Sequence, residues 1–121
     1  MVDVAGTADM DAGGIVFFRS EAHDEVVEFY TERLDASVWL SQPDCTILDY
    51  EGFRFGFCDR EDPEVGGTLT FVVPSREAVD EAFERLEDRA VDRPRHNEIY
   101  AIYQFFAEDP EGRTVEIQSF E

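Results

Sequence analysis

The chain has 121 residues, 43% of them hydrophobic and 11 of them Phe, enough to bury a core in one domain without metal or disulfide staples. Its formal net charge of −19 argues against nucleic acid or an anionic membrane surface as a partner. No apolar run reaches transmembrane length and the first residues lack a basic and an apolar signal region, so a cytoplasmic protein is expected.

Residues 1–14 are small and acidic and read as a loose N-terminal arm. A strand is expected over 15–19, with Ser20 as the cap of a helix over 21–34 whose apolar stripe is Val26, Val27, Tyr30 and Leu34. A second strand begins at Ser37 and is interrupted at Gln42-Pro43-Asp44. A hairpin follows, in which 45–50 and 53–58 flank the two-residue turn Glu51-Gly52. That turn sets Tyr50 opposite Phe53, Leu48 opposite Phe55 and Ile47 opposite Gly56. Leu48, Tyr50, Phe53, Phe55 and Phe57 then share the core face, and Cys45, Ile47, Asp49, Arg54, Gly56 and Cys58 the other.

After a polar linker over 61–67 the order begins again. A strand at 68–73 precedes a helix opened by Pro74-Ser75 and running to about residue 90, with Val79, Phe83, Leu86 and Ala90 as its stripe. Residues 91–98 read as irregular or a short strand, and 99–107 as an aromatic strand. Asp109-Pro110-Glu111-Gly112 supplies a turn in which Pro fixes φ, Asp caps the backbone and Gly provides positive φ. The final strand alternates, with Val115 and Ile117 inward and Thr114, Glu116 and Gln118 on the opposite face.

The element order therefore repeats. Superposing the two Glu-Gly turns lays Gly112 on Gly52, Val115 on Phe55, Glu116 on Gly56 and Ile117 on Phe57, and the apolar face agrees in both halves. The expected fold is α+β: two βαβββ modules, about 15–60 and 67–121 of a domain spanning 15–121. Their paired, curved mixed sheets enclose a cleft, with one helix on the outer face of each.

Asp109-Pro110-Glu111-Gly112-Arg113-Thr114-Val115-Glu116-Ile117 and Phe29-Tyr30 followed by Leu34 resemble motifs of the vicinal oxygen chelate superfamily, which includes glyoxalase I, extradiol dioxygenases and bleomycin-resistance proteins. The resemblance covers 15–120. It implies ligand positions on the first and last strand of each module, and these fall on Ile15, Gly56, Thr68 and Glu116. One carboxylate, one hydroxyl, a glycine and an isoleucine are not a divalent-metal site, which needs three or four N/O ligands. No metal and no other cofactor is therefore expected. The acid excess, with all ten basic residues Arg, also resembles proteins of salt-loving archaea, in which salt screens the self-repulsion.

The resemblance implies a metal-independent small-molecule binding protein, most often a homodimer. The alternative is a lyase, isomerase or dioxygenase-like enzyme of the same superfamily, either metal-dependent or using Glu116 as base. Glu116 is the leading candidate for a catalytic group and for the ligand's polar anchor. Arg19, Phe17 and Arg54 share the inward parity, and Trp39, Tyr100 and Tyr103 are aromatics near cleft strands suited to line a pocket. Asp49 and Arg54 also read as a cross-strand ion pair. Arg19 suits either a substrate carboxylate or Glu116. Arg89, Arg93, Arg95 and His96 form the one basic cluster, read as a helix end favoured by the dipole or as an anion site.

Cys45 and Cys58 fit neither a CxxC nor a zinc pattern. The hairpin register makes them a non-hydrogen-bonded pair, with Cα atoms about 4.5 Å apart. They are expected to be reduced thiols in the cell but able to bridge on oxidation.

Overall fold

The computed structural model describes residues 12–121, so most of the expected arm at 1–14 lies outside the described residues. The chain forms two compact units that meet in sequence between Glu64 and Val65. Each is a βαβββ module, as the repeat required.

In the first unit, β1 (Val16–Ser20), β2 (Ser37–Ser41), β3 (Cys45–Tyr50) and β4 (Phe53–Asp59) form a sheet in the order β1-β4-β3-β2. Helix α1 (His23–Arg33) covers one face. Tyr30, fully buried, stacks on Phe57 with ring centroids 5.3 Å apart and meets Phe55 edge-on at 5.2 Å. Burying side chains of this kind contributes about 1.5–3 kcal/mol each. The expected cap at Ser20 is not made. Ser20 is buried at the end of β1 opposite Asp59, so its backbone belongs to the ladder, and α1 starts after Ala22 without a side-chain cap.

The hairpin register is the expected one in every pair. It brings Cys45 against Cys58, and the two are joined in a disulfide with Cα atoms 4.0 Å apart. The expected facing of the two cysteines and their ability to bridge are borne out, and in this structure they are oxidised. The ladder sets the two backbones side by side, which brings the sulfurs together.

In the second unit, β5 (Thr68–Val72), β6 (Arg95–Asn97), β7 (Ile102–Glu108) and β8 (Thr114–Phe120) are ordered β5-β8-β7-β6. Helix α2 (Arg76–Leu86) is capped by Ser75, whose Oγ accepts from the Ala78 N–H at 3.1 Å. Val79, Ala82 and Leu86 are its buried stripe, and Phe83 meets Phe105 edge-on at 5.3 Å. The helix ends before the expected residue 90. After a 3-10 turn at Glu87–Arg89, Ala90 is extended and bridges Ala107, while the Val91 N–H donates to the Phe106 carbonyl. Pairing with β7 takes those residues out of the helix. The aromatic strand starts at Ile102 rather than 99, because 98–101 turn back from β6 with Ala101 at φ 55°.

The turn into β8 is locked from inside. Asp109 Oδ1 accepts from the N–H groups of Glu111 and Arg113 at 2.8 and 3.1 Å. The Arg113 guanidinium, 1% exposed, pairs with Asp109 at 3.1 Å and Glu111 at 2.9 Å. Gly112 has the φ of 88° that the turn needs. Among the described residues no helix is long and apolar enough to cross a membrane.

Candidate functional site

In the second unit Leu69, Phe71, Phe105, Ala107, Val115 and Ile117 are buried beneath α2, so the alternate positions face the other way. The ladders set these in rows. One row is Phe106, Glu116 and Thr70; the next is Arg95, Gln104 and Gln118; a third is Asn97, Ile102 and Phe120.

Glu116 is the hub of a hydrogen-bonded chain across that face. Thr70 Oγ1 donates to its Oε1 at 2.7 Å, and Gln104 Nε2 donates to its Oε2. Asn97 Nδ2 donates to Gln104 Oε1 at 2.8 Å, which fixes the Gln104 amide with its nitrogen toward the carboxylate. Each of the four strands supplies one member. Gln104, 4% exposed, is committed at both ends of its amide. Among the described residues no basic side chain pairs with Glu116, and the two donors that hold its carboxylate, Thr70 and Gln104, are neutral.

A concavity of about 500 Å³ lies over this face. Gln104, Glu116 and Gln118 belong to its floor, Tyr100, Phe106 and Phe120 are its aromatic walls, and Arg95 also lines it. A fixed carboxylate between aromatic rings is suited to N–H donors and organic cations, through charge-assisted hydrogen bonds and cation–π contact.

In the first unit the matching position is Gly56, beside Phe17 in the ladder as Glu116 is beside Thr70. The Phe17 ring lies over Gly56, so no polar group stands there. The residues in register with Gly56 and Glu116 are Phe17 and Thr70, and the ligand positions that the resemblance implies, Ile15 and Thr68, lie two residues earlier in the chain. Strand β1 begins only at Val16, and Thr68 pairs with Thr114. Arg54 lies over the Trp39 ring at 4.3 Å, with Asp49 Oδ1 3.6 Å from its Nε. Trp39 itself sits at the irregularity of β2 between Val38 and Leu40. Arg19 engages its own unit, donating from Nε to the Asp62 carbonyl at 3.0 Å and pairing with Glu64.

Of the expected ligand residues, the structure joins Glu116 with Tyr100 on one concavity and Trp39 with Arg54 in one stack. It moves Tyr103 away. Tyr103 pairs with Ser119 on the α2 side, where its hydroxyl donates to Asp80 at 2.8 Å under the Arg76 guanidinium. The hydrogen bond to Asp80, with burial, holds its phenol above the usual range. Nearby, Arg76 and His96 both contact the Glu121 carboxylate. The Arg76 hydrogen bond, mainly, draws its pKa down to about 2. The sequence reading missed Thr70, Asn97 and Gln104. The available signal was Gln104 itself, an amide inside an aromatic strand.

The residues around Glu116 do not suit a divalent cation. Its two neighbours are a hydroxyl and an amide nitrogen, both donating to it, and among the described residues no group of three or more His, Cys, Asp or Glu converges.

No protein-family model matches the chain, and no curated protein is significantly similar to it. Solved structures do match. A glyoxalase/bleomycin resistance protein/dioxygenase family enzyme from Burkholderia phytofirmans PsJN superposes with a TM-score of 0.77 at 19% identity, covering 88% of this chain and 97% of that one. Lactoylglutathione lyase from Agrobacterium tumefaciens gives 0.72 at 19% identity, over 93% and 96%. A glyoxalase/bleomycin resistance protein/dioxygenase from Alicyclobacillus acidocaldarius gives 0.69 at 16%, over 94% and 95%. The fold is that of the glyoxalase/bleomycin-resistance/dioxygenase proteins: two βαβββ modules, each a four-stranded mixed sheet with one helix.

Proposed function

We propose that this protein binds a small molecule without a metal, with Glu116 as the polar anchor. The observation that carries this reading is the Thr70–Glu116–Gln104–Asn97 chain: a carboxylate held rigid by neutral donors on the floor of an aromatic-walled concavity. Hydrogen bonds of this kind orient a carboxylate while leaving lone pairs for a ligand's N–H groups. Tyr100 contributes ring surface. In the first unit Phe17, Trp39, Arg54 and Arg19 remain candidates for further ligand contact. We take the protein to be a cytoplasmic homodimer, a state testable by light scattering in molar salt, where the charge of −19 is screened.

The test is ligand-observed NMR with a set of small aromatic amines and matching aromatic acids, on wild type and Glu116→Gln. Amines should bind and lose about tenfold or more in affinity in the variant, the scale of one charge-assisted contact. Equal amine binding by both proteins would overturn the anchor. Elemental analysis finding about one transition metal per chain after chelator-free purification would overturn the metal-free reading.

A further inference from the structure

The concavity over the second sheet carries a second charge that the anchor does not use. Arg95 is the only basic residue among its described lining residues, as Glu116 is the only acidic one. Arg95 faces Gln104 in the β6–β7 ladder, and Gln104 faces Gln118 in the β7–β8 ladder. Glu116 lies two residues before Gln118 on the same face. From strand spacing and rise, the Cα atoms of Arg95 and Glu116 are roughly 12 Å apart, with the two amides lying between. The side chains do not pair with each other. Glu116 is occupied by Thr70 and Gln104, and the ion pair of Arg95 with Asp92 is loose, at 3.6 Å with the Arg side chain 67% exposed. A guanidinium has five donors, so one such contact leaves it free to bind an anion as well.

We propose that the ligand is a zwitterion whose ammonium and carboxylate are separated by an apolar, ring-sized spacer. The ammonium meets Glu116, the carboxylate meets Arg95, and the spacer lies against Phe106, Phe120 and Tyr100. This rests on the reading of Glu116 as anchor. A net charge of −19 attracts any organic cation and repels any anion. A guanidinium placed in the site changes that balance locally. It favours a ligand carrying both charges over a plain amine, which is specificity rather than general attraction.

The probes are 4-(aminomethyl)benzoate, benzylamine, which lacks the carboxylate, and benzoate, which lacks the ammonium. Affinities are measured by calorimetry at low salt on wild type, Arg95→Gln and Glu116→Gln, each checked for folding by circular dichroism. The zwitterion should bind wild type about tenfold more tightly than benzylamine, the scale of one added charge-assisted contact, and benzoate should bind weakest. Arg95→Gln should erase the advantage of the zwitterion over benzylamine. Benzylamine binding as tightly as the zwitterion to wild type, with Glu116→Gln still abolishing both, would overturn the zwitterion and leave the anchor standing. An unchanged preference in Arg95→Gln would likewise remove Arg95 from recognition. Absence of binding by all three probes at millimolar concentration would overturn both readings.

Discussion

The aromatic ring of Phe17 stands 2.7 Å from the point that a Cβ on Gly56 would occupy, so a side chain at residue 56 requires the ring to move. The close approach explains why the first unit has no counterpart of Glu116. In its present rotamer the Phe17 ring takes the space that a side chain at residue 56 would need.

Gly56→Ala should therefore cost about 1–3 kcal/mol, the usual range for overpacking. Phe17 is 47% exposed and able to swing outward, whereas Ile47, 3.3 Å from the added methyl, is buried and has to give by a few tenths of an ångström. In a Phe17→Ala background the part of the cost set by the ring should vanish and the part set by Ile47 should remain. Urea denaturation of the four proteins in this cycle measures the coupling, and additive costs would mean that Phe17 is not the obstacle.

Arg113 should prove among the most sensitive residues of the second unit. It is buried with Asp109 and Glu111, and Asp109 also holds two backbone N–H groups of the turn. Removing the guanidinium takes away the counter-charge that it supplies to these carboxylates inside the protein, so Arg113→Ala is expected to destabilise by about 3–5 kcal/mol. Thermal unfolding followed by circular dichroism provides the measurement. A loss below about 1 kcal/mol, the level of an exposed pair, would contradict it.

The clasp of Arg76 on Glu121 predicts a pH dependence of defined sign. The folded pKa of Glu121 is lowered from the usual 4.5 to about 2, mainly by the Arg76 hydrogen bond, so folding favours the ionised form. Its stabilising contribution is complete above the unfolded value and is lost as pH falls through the folded one. The stability difference between wild type and Glu121→Gln should shrink between about pH 4.5 and 2. A carboxyl NMR titration placing Glu121 at 4.5 would refute the clasp.

The Cys45–Cys58 bridge should add stability without shaping the sheet. The hairpin ladder pairs these strands over six residue positions, so the register does not depend on the sulfurs. Reduction, or replacing both cysteines by Ser, is expected to cost about 3 kcal/mol, the chain-entropy scale for a short loop, with secondary structure retained. Thiol titration of unreduced protein should find no reactive cysteine before unfolding. Finding two before unfolding would show the thiols free in the native state.

Sequence pattern alone determined the two-module order, the hairpin register that brings Cys45 to Cys58, and the inward parity of Val115 and Ile117. Each depends on local rules: alternation along a strand, turn chemistry at Glu51-Gly52 and Asp109–Gly112, and helical spacing of apolar residues. The same rules placed Glu116 on the open face. Its partners were decided only by tertiary structure, because they come from strands far apart in sequence. Thr70 is 46 residues from Glu116, and the parallel β5–β8 register that joins them is set by no turn. The expected Thr68 has the same parity, so alternation could not separate it from Thr70. Gln104 and Asn97 depended on where β6 turns into β7, and the left-handed Ala101 that shortens the aromatic strand has no marker in its residue type. Tyr103 was misassigned for a related reason. Once the ladder sets Gln104 opposite Gln118, its neighbour Tyr103 must face α2, where Asp80 receives its hydroxyl.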